Sequence, residues 1–297
     1  MTDRSERVLA VDIGGTKIAF AEVAGAKLRN RRQIPTPRSG GDALVEAIAA
    51  EIRGARPSRL AVATTGIVSD GGTLTALNPR TLPIENGYPL ASRLQASIGV
   101  RPLVVNDAQA AAWGEYAFGA GQGSRNFMFV TVSTGIGGGL VLAGRLQSGQ
   151  AGLAGHVGHM SVSGADAPCG CGRRGCLETV ASGTAIAARF GERVGRTVTA
   201  KDVFAEAAAG NAEAEVMLED AAAALAETFA NLVAATDLDR IALGGGVGLA
   251  SGVLDRVLRH ADSLPTAFRR QIVQARAGAD AGLIGVADLV MKKNFIM

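Results

Sequence analysis

The stretch "VLAVDIGGTKIAFAEV", residues 8 to 23, decides how the rest of the chain is read. Two β-rich apolar runs flank a Gly14–Gly15 break, the pattern of strand, tight glycine turn, strand. The chain returns to this theme at 126–146, "NFMFVTVSTGIGGGLVLAGRL", where a second glycine turn separates two apolar runs. One such unit is a hairpin. Two of them, more than a hundred residues apart, predict two related lobes facing each other.

Working outward, "DALVEAIAAEIRG" (42–54) carries apolar residues at helical three-to-four spacing. "RLAVATTG" (59–66) and "PLVVND" (102–107) read as buried strands, the second feeding the helix "AQAAAWGEYAFG". From about 178 to 237 the chain reads as mainly helical, its long element being "EAEVMLEDAAAALAETFANLVAATD". The strand "RIALGGG" (240–246) follows. Three closing segments read as helical, the last being "DAGLIGVADLVMKK" (280–293). Alternating strands and helices predict an α/β fold with some antiparallel hairpins. No low-complexity linker occurs, so a short hinge is expected near 106–125, where "GAGQG" lies.

A chain of 297 residues suffices for one large domain or two lobes of ordinary size. No run of 18 apolar residues is free of charge, which excludes a helical membrane span. The N-terminus enters a strand with no apolar leader, so a cytoplasmic protein is expected. Net charge is +3, but the basic residues are scattered, and one Trp, two Tyr and nine Phe offer little for bases to stack on. No nucleic-acid partner is expected. The run "RNRRQ" (29–33) reads as a solvated turn or strand end.

Phosphate groups are cradled by backbone N–H groups that approach closely, and glycine permits that approach and the dihedrals it needs. Three loops qualify: "DIGGTK" (12–17), "STGIGGG" (133–139) and "GGGVG" (244–248). Any one alone is equally a tight hairpin turn; two placed symmetrically, one of them carrying Asp12, point to a nucleotide. None is a Walker A loop, and the first is followed by a strand rather than the helix of a dinucleotide fingerprint. Asp12 lies at an apolar-flanked strand end, where a carboxylate needs donors or a cation such as a nucleotide's Mg²⁺. Asn106 and Asp107 stand where a buried strand passes into a helix. Either could serve as the helix N-cap; Asp107 also fits a general base that takes a hydroxyl proton during phosphoryl transfer.

All three cysteines and two of the three histidines fall within "GHVGHMSVSGADAPCGCGRRGCLE" (155–178). His159, Cys169, Cys171 and Cys176 form H-x₉-C-x-C-x₄-C, a closed set of one imidazole and three thiolates suited to structural Zn²⁺. An odd number of cysteines in eight positions argues against a disulfide framework. With His156 three residues before His159 and Glu178 two after Cys176, the metal would hold all three side chains at one substrate wall.

The stretches "LAVDIGGTKIAFAEV", "NDAQAAAWGE", "VSTGIGGGLV", "GLAGHVGH" and "CGCGRRGCLETVASG" resemble the sugar-kinase branch of the ROK family, in order and spacing, from about 8 to 290. The resemblance implies an actin-like, ribonuclease-H-like ATPase fold of two lobes with a central ATP and sugar cleft. It implies a small lobe over 1–107, completed by the closing helix 280–297, and a large lobe over 108–279 that carries the zinc motif. Carried over by position, it assigns Asp12, Gly14, Gly15, Thr16, Lys17, Thr134, Gly135, Gly137, Gly138, Gly139, Gly245 and Gly246 to ATP. It assigns Gly66, Asn78, Asn106, Asp107, His156, His159 and Glu178 to the sugar, with Asp107 as base for the 6-hydroxyl. A homodimer is also implied.

Where glucose-phosphorylating members read Gly-Glu-Ile/Leu-Gly-His, this chain reads Gly155-His156-Val157-Gly158-His159. An imidazole can donate to an N-acetyl carbonyl and a carboxylate cannot. With "TGIVSDG" and "ALNP", the exchange resembles members that phosphorylate N-acetylmannosamine in sialic acid catabolism. The rivals are a glucokinase or other hexose or hexosamine kinase, and a sugar-sensing regulator without turnover.

Overall fold

The computed structural model describes residues 7–55, 57–77 and 81–292. In chain order its elements are β1 (Val8–Ile13), β2 (Lys17–Ala24), β3 (Lys27–Pro35), α1 (Gly41–Ile52), β4 (Leu60–Thr64), β5 (Ile67–Val68), β6 (Leu74–Thr75), α2 (Leu90–Ile98), β7 (Leu103–Asn106) and α3 (Asp107–Phe118). Then come β8 (Phe127–Val132), β9 (Ile136–Leu142), β10 (Arg145–Gln147), α4 (Glu178–Ala181), α5 (Gly183–Val194), α6 (Ala200–Ala208), α7 (Ala212–Thr236), β11 (Arg240–Gly244), α8 (Gly245–Gly248), α9 (Val253–Asp262), β12 (Gln271–Gln274) and α10 (Ala281–Met291).

Two five-stranded sheets repeat one design, in the orders β3-β2-β1-β4-β7 and β10-β9-β8-β11-β12. In each, three strands run as an antiparallel meander and the next two join in parallel. The echo between the two glycine hairpins is therefore an echo between β1–β2 and β8–β9. Strand β4, paired in parallel between β1 and β7, is buried at every position, as a strand covered on both faces must be.

Alternation along β1 divides the first core. Leu9, Val11 and Ile13 pack with Ile48 of α1 and Leu94 of α2. Val8 and Ala10, with Ala61 and Ala63 of β4, face a cluster that includes Trp113 of α3 and Leu283 and Val286 of α10. On the second sheet, Met128, Val130 and Val132 pack against α7, while Phe127 and Phe129 join the cluster around α3. The small alanines on β1 and β4 let α10 come close, and α10 in turn crosses α3.

That crossing depends on glycine at two positions. A methyl group at Gly285 would overlap the Ala110 carbonyl oxygen and stand 2.8 Å from the Gly114 nitrogen; one at Gly114 would meet the Ala281 carbonyl. Both obstacles are backbone and cannot rotate away. Gly285→Ala should therefore lower stability by about 1–3 kcal/mol, overriding the roughly 1 kcal/mol that alanine gains in a helix. Urea unfolding of the variant checks this, and an unchanged or raised midpoint would contradict it.

Two readings from sequence are corrected. The run 29–33 is largely solvent-exposed as expected, but it lies within the edge strand β3 rather than in a turn or at a strand end. Of the closing segments, "QIVQ" is the strand β12 and not helix. No described helix is long and apolar enough to cross a membrane.

Candidate active site

A cleft of about 1060 Å³ opens along the ends of β1, β4, β8 and β11. That is at the upper end of the roughly 300–1,000 Å³ range of small-molecule sites. Asp12, Gly66, Asp107, the turn from Ser133 to Gly138, His156, His159, Glu178 and Gly244–Gly246 all line it. The structure thus gathers on one surface residues that lie far apart in the chain.

Asp12 is the next-to-last residue of β1, paired with Ala63 of β4 and Ala19 of β2. Burial, with Asp107 and Asp280 nearby, pushes its carboxyl up to about 7; Lys17 and Arg31 oppose this only partly. A cation at this point would reverse the shift. Gly282 of α10 lies over the pair, its missing methyl 3.6 Å from Asp12 Oδ2 and 3.8 Å from the Asp107 carbonyl.

Asn106 and Asp107 separate into different tasks. Asn106 is the N-cap of α3, its side-chain oxygen accepting from the N–H groups of Ala108 (3.0 Å) and Gln109 (3.1 Å). Its amide nitrogen donates to the Gly66 carbonyl at 2.9 Å. The buried amide is thus committed to local structure, and through Gly66 it fixes part of the cleft wall. Asp107 takes the first helical position, and its Oδ1 accepts from Ala108 N–H at 2.8 Å. Burial raises its pKa, while donors at the helix start and the Asn106 amide pull the other way.

The glycine loops are held in different ways. Gly14 and Gly15, with Thr16 and Lys17, form the turn from β1 to β2 and lie outside the cleft lining. There Gly14 N–H donates to the Lys17 carbonyl, and a methyl at Gly15 would stand 2.9 Å from Thr81. In the second loop Thr134, Gly135, Gly137 and Gly138 line the cleft. Gly139 does not; its missing side chain admits α3, since a methyl would stand 2.5 Å from Ala112 Cβ. Neither loop has a glycine at positive φ, so space rather than dihedral freedom demands glycine there. Positive φ is needed at Gly245 (83°), in the turn after β11.

The cysteine segment fits a metal on geometric grounds. Tetrahedral Zn²⁺, with Zn–S about 2.3 Å and Zn–N about 2.0–2.1 Å, sets sulfur pairs about 3.8 Å apart and nitrogen–sulfur pairs about 3.6 Å apart. Cys171 Sγ and Cys176 Sγ are 3.8 Å apart, and His159 Nδ1 is 3.6 Å from Cys169 Sγ. The ligand atoms of all four residues lie within 4.8 Å of one another, and the thiols are free. Burial pushes the Cys176 thiol up to about 12, with Cys169 and Cys171 adding to the shift, so three adjacent thiolates need a cation to form together. With Nδ1 turned to the sulfurs, His159 keeps Nε2 for the cleft.

Glu178 links this segment to the second glycine turn. It opens α4 and accepts from the Ile136 N–H at 2.9 Å. A methyl at Gly135 would stand 2.5 Å from the same oxygen, so the glycine admits the carboxylate. His156 stacks beside His159 with ring centroids 6.4 Å apart. Its Nδ1 is buried and meets no hydrogen-bond partner among the described residues. Burial, and secondly His159, hold its pKa below the ordinary imidazole value, leaving a neutral ring. Asn78 lies outside the described residues.

Sequence reading missed two buried polar side chains of α3, Gln109 and Glu115. Their signal was available: an amide and a carboxylate inside an otherwise apolar helical run.

Residues 8–293 match the model of the ROK family. The chain is 48% identical over 289 residues to the bifunctional enzyme NanE/NanK of Brucella melitensis, covering 96% of this chain and spanning 54% of that relative's length. It is 46% identical over 284 residues to the N-acetylmannosamine kinase of Yersinia pestis, covering 94% and 96% of the two chains. The crystal structure of a ROK family glucokinase from Streptomyces griseus, in complex with glucose and AMPPNP, superposes with a TM-score of 0.81 at 30% identity, over 96% and 99% of the chains.

Proposed function

Because this chain belongs to the ROK family and has its actin-like ATPase fold, we propose that it is an ATP-dependent N-acetylmannosamine kinase transferring phosphate to the sugar 6-hydroxyl. The observation that carries the reading is one cleft in which Asp107 lies among the Ser133–Gly138 turn, the Gly244–Gly246 turn and the His156, His159 and Glu178 wall. The 46% identity with the Yersinia pestis kinase over nearly both chains supports the choice of sugar.

In this reading Asp107 accepts the 6-hydroxyl proton as the oxygen attacks the γ-phosphorus of ATP. Phosphoryl transfer needs chiefly positioning and charge neutralisation. Asp12 would hold the nucleotide's Mg²⁺, which would supply positive charge to the transferred group. The Thr134–Gly138 turn holds the phosphates within the cleft, the Gly14–Lys17 turn outside its lining is assigned to them by resemblance, and Gly245 and Gly246 lie by the adenosine. Gly66, His156, His159 and Glu178 hold the sugar, with Asn106 fixing Gly66 from behind. The lobes are assigned as 1–107 with 280–297, and 108–279, a division supported by α10 packing on the first sheet and α3 on the second. The enzyme acts in the cytoplasm, as a homodimer, in sialic acid catabolism.

Zn²⁺ held by His159, Cys169, Cys171 and Cys176 would have all four positions filled by protein, so it would fix the wall that carries His159 and Glu178 rather than take part in the chemistry. Cys171→Ser should lose the metal, lower Tm and raise the sugar KM by about tenfold or more. Metal analysis of the purified variant beside its sugar kinetics checks this; unchanged metal content and KM would contradict it.

The product decides the proposed reaction. N-Acetylmannosamine incubated with enzyme and MgATP should yield one phosphomonoester, with the phosphorus coupled in NMR to the two C6 protons. Phosphate at another carbon, or ADP release without a sugar phosphate, would sink the reading.

A further inference from the structure

The segment from β10 to His156 is clamped from three sides. Gly152 has φ 76°, and a methyl there would overlap the Val68 carbonyl of β5 and stand 3.0 Å from Ile67 Cγ2. Gly155 lies flat on β9, with room for no methyl beside Gly139 Cα at 2.9 Å. From beneath, the buried Gln109 amide donates to the Ala154 carbonyl at 2.9 Å and reaches the Gly152 carbonyl at 3.4 Å. His156 is two residues beyond Ala154, and its own N–H returns to the Leu153 carbonyl at 3.2 Å.

We infer that Gln109 is a positioning residue for sugar specificity: through the Ala154 carbonyl it sets His156 against the 2-acetamido group of the substrate. The inference rests on the reading of the cleft as an N-acetylmannosamine kinase site. Two observations carry it beyond that reading. A buried primary amide spends its donors on the loop that precedes His156, and the backbone of Leu153 and Ala154 in that same loop lies against the His156 ring, whose Nδ1 is buried while the residue lines the cleft. A 2-hydroxyl can also donate and accept, but an acetamido group carries its carbonyl acceptor farther from C2, so it can reach an imidazole that the hydroxyl does not. An unsatisfied buried group discriminates against a sugar that cannot reach it. The first turn of α3 thereby organises both sides of the reacting hydroxyl: Asn106 holds Gly66, Gln109 holds Ala154, and Asp107 stands between them.

The test compares kcat/KM for N-acetylmannosamine and glucose in the unaltered enzyme, Gln109→Met, His156→Ala and the double variant. Methionine keeps the length and volume of glutamine while removing its hydrogen bonds. Gln109→Met should raise KM for N-acetylmannosamine about tenfold, the worth of roughly one hydrogen bond. Its kcat, its KM for MgATP and its kcat/KM for glucose should stay within about twofold. In the His156→Ala background the same change should alter the preference no further, because the residue through which it acts is gone. A merely structural role would depress both sugars alike and add to the His156→Ala effect, and that result overturns the assignment. If Gln109→Met fails to fold, Gln109→Asn, one methylene too short to reach Ala154, carries the same expectations. Retained preference in the variants overturns only the role of Gln109. Absence of N-acetylmannosamine turnover by the unaltered enzyme overturns the functional reading, and this assignment with it.

Discussion

Asp107→Asn should lower kcat by about 10²- to 10⁴-fold, with little change in Tm or in the KM for either substrate. The substitution is nearly isosteric and keeps an oxygen where Oδ1 accepts the Ala108 N–H at 2.8 Å. Helix α3 also keeps its true cap, because Asn106 accepts from both Ala108 and Gln109 from outside the helix, Asp107 only sharing the Ala108 N–H. What disappears is the basic oxygen that would take the hydroxyl proton. Steady-state ADP release with saturating MgATP, beside a melting curve, measures both halves of the expectation. Near-normal turnover would remove Asp107 as base, and a collapsed melting temperature would make it structural.

The same residue carries a pH dependence. Burial raises the Asp107 pKa, and a base works only when deprotonated. Activity should therefore begin to fall on acidification at a pH above the ordinary aspartate range of about 3.9. Sugar kcat/KM across pH would show this limb; a profile flat down to ordinary carboxylate pH would contradict it.

The second large effect is on stability. Glu115 is almost fully buried in α3, and its carboxylate gathers backbone N–H groups from two other segments. It accepts from Ala120 at 2.8 Å, from Arg276 at 2.9 and 3.0 Å, and from Ala277 at 2.6 Å. Those last two residues lead from β12 towards α10, so Glu115 ties the far end of α3 to the entry of its partner helix. Glu115→Gln keeps the shape but turns an NH₂ group towards backbone donors, leaving buried N–H groups without an acceptor. The cost should be about 3–5 kcal/mol, as for breaking a buried charged network from one side. Ala275 and Gly278 of the same segment line the cleft, so KM for MgATP should rise as well. Urea unfolding with an unchanged m-value and a much lower midpoint is the expected result. A change below about 0.5 kcal/mol would show that the bonds form equally well to water.

What was legible in the sequence was mostly local. The two glycine hairpins gave the repeated meander because each is a contiguous unit with its own period. The cluster of one histidine and three cysteines was legible because all four lie within eighteen residues, at a spacing that suits tetrahedral coordination. Contacts between distant segments left a weaker trace. Glu178 reads as an ordinary first-turn helix residue until Ile136 is seen to donate to it. Gln109 and Glu115 read as helix because their spacing is helical; their partners lie about 45 and 161 positions away. Strand β12 was mistaken for helix because it is four residues long at a sheet edge, with only Ile272 buried. In β3, polar residues on both faces hid the strand for the same reason. The glycines of β9 carried two messages at once, cleft lining at Gly137 and Gly138 and helix packing at Gly139, and sequence alone assigns them all to phosphate.

The central claim is that this cleft phosphorylates N-acetylmannosamine in preference to the sugars nearest to it. ADP release should be followed under saturating MgATP with N-acetylmannosamine, N-acetylglucosamine, glucose and mannose, each over a full concentration range. The account predicts the highest kcat/KM for N-acetylmannosamine, with glucose lower by at least about tenfold, the scale of one unsatisfied buried hydrogen-bonding group. Equal or better turnover of glucose would contradict it.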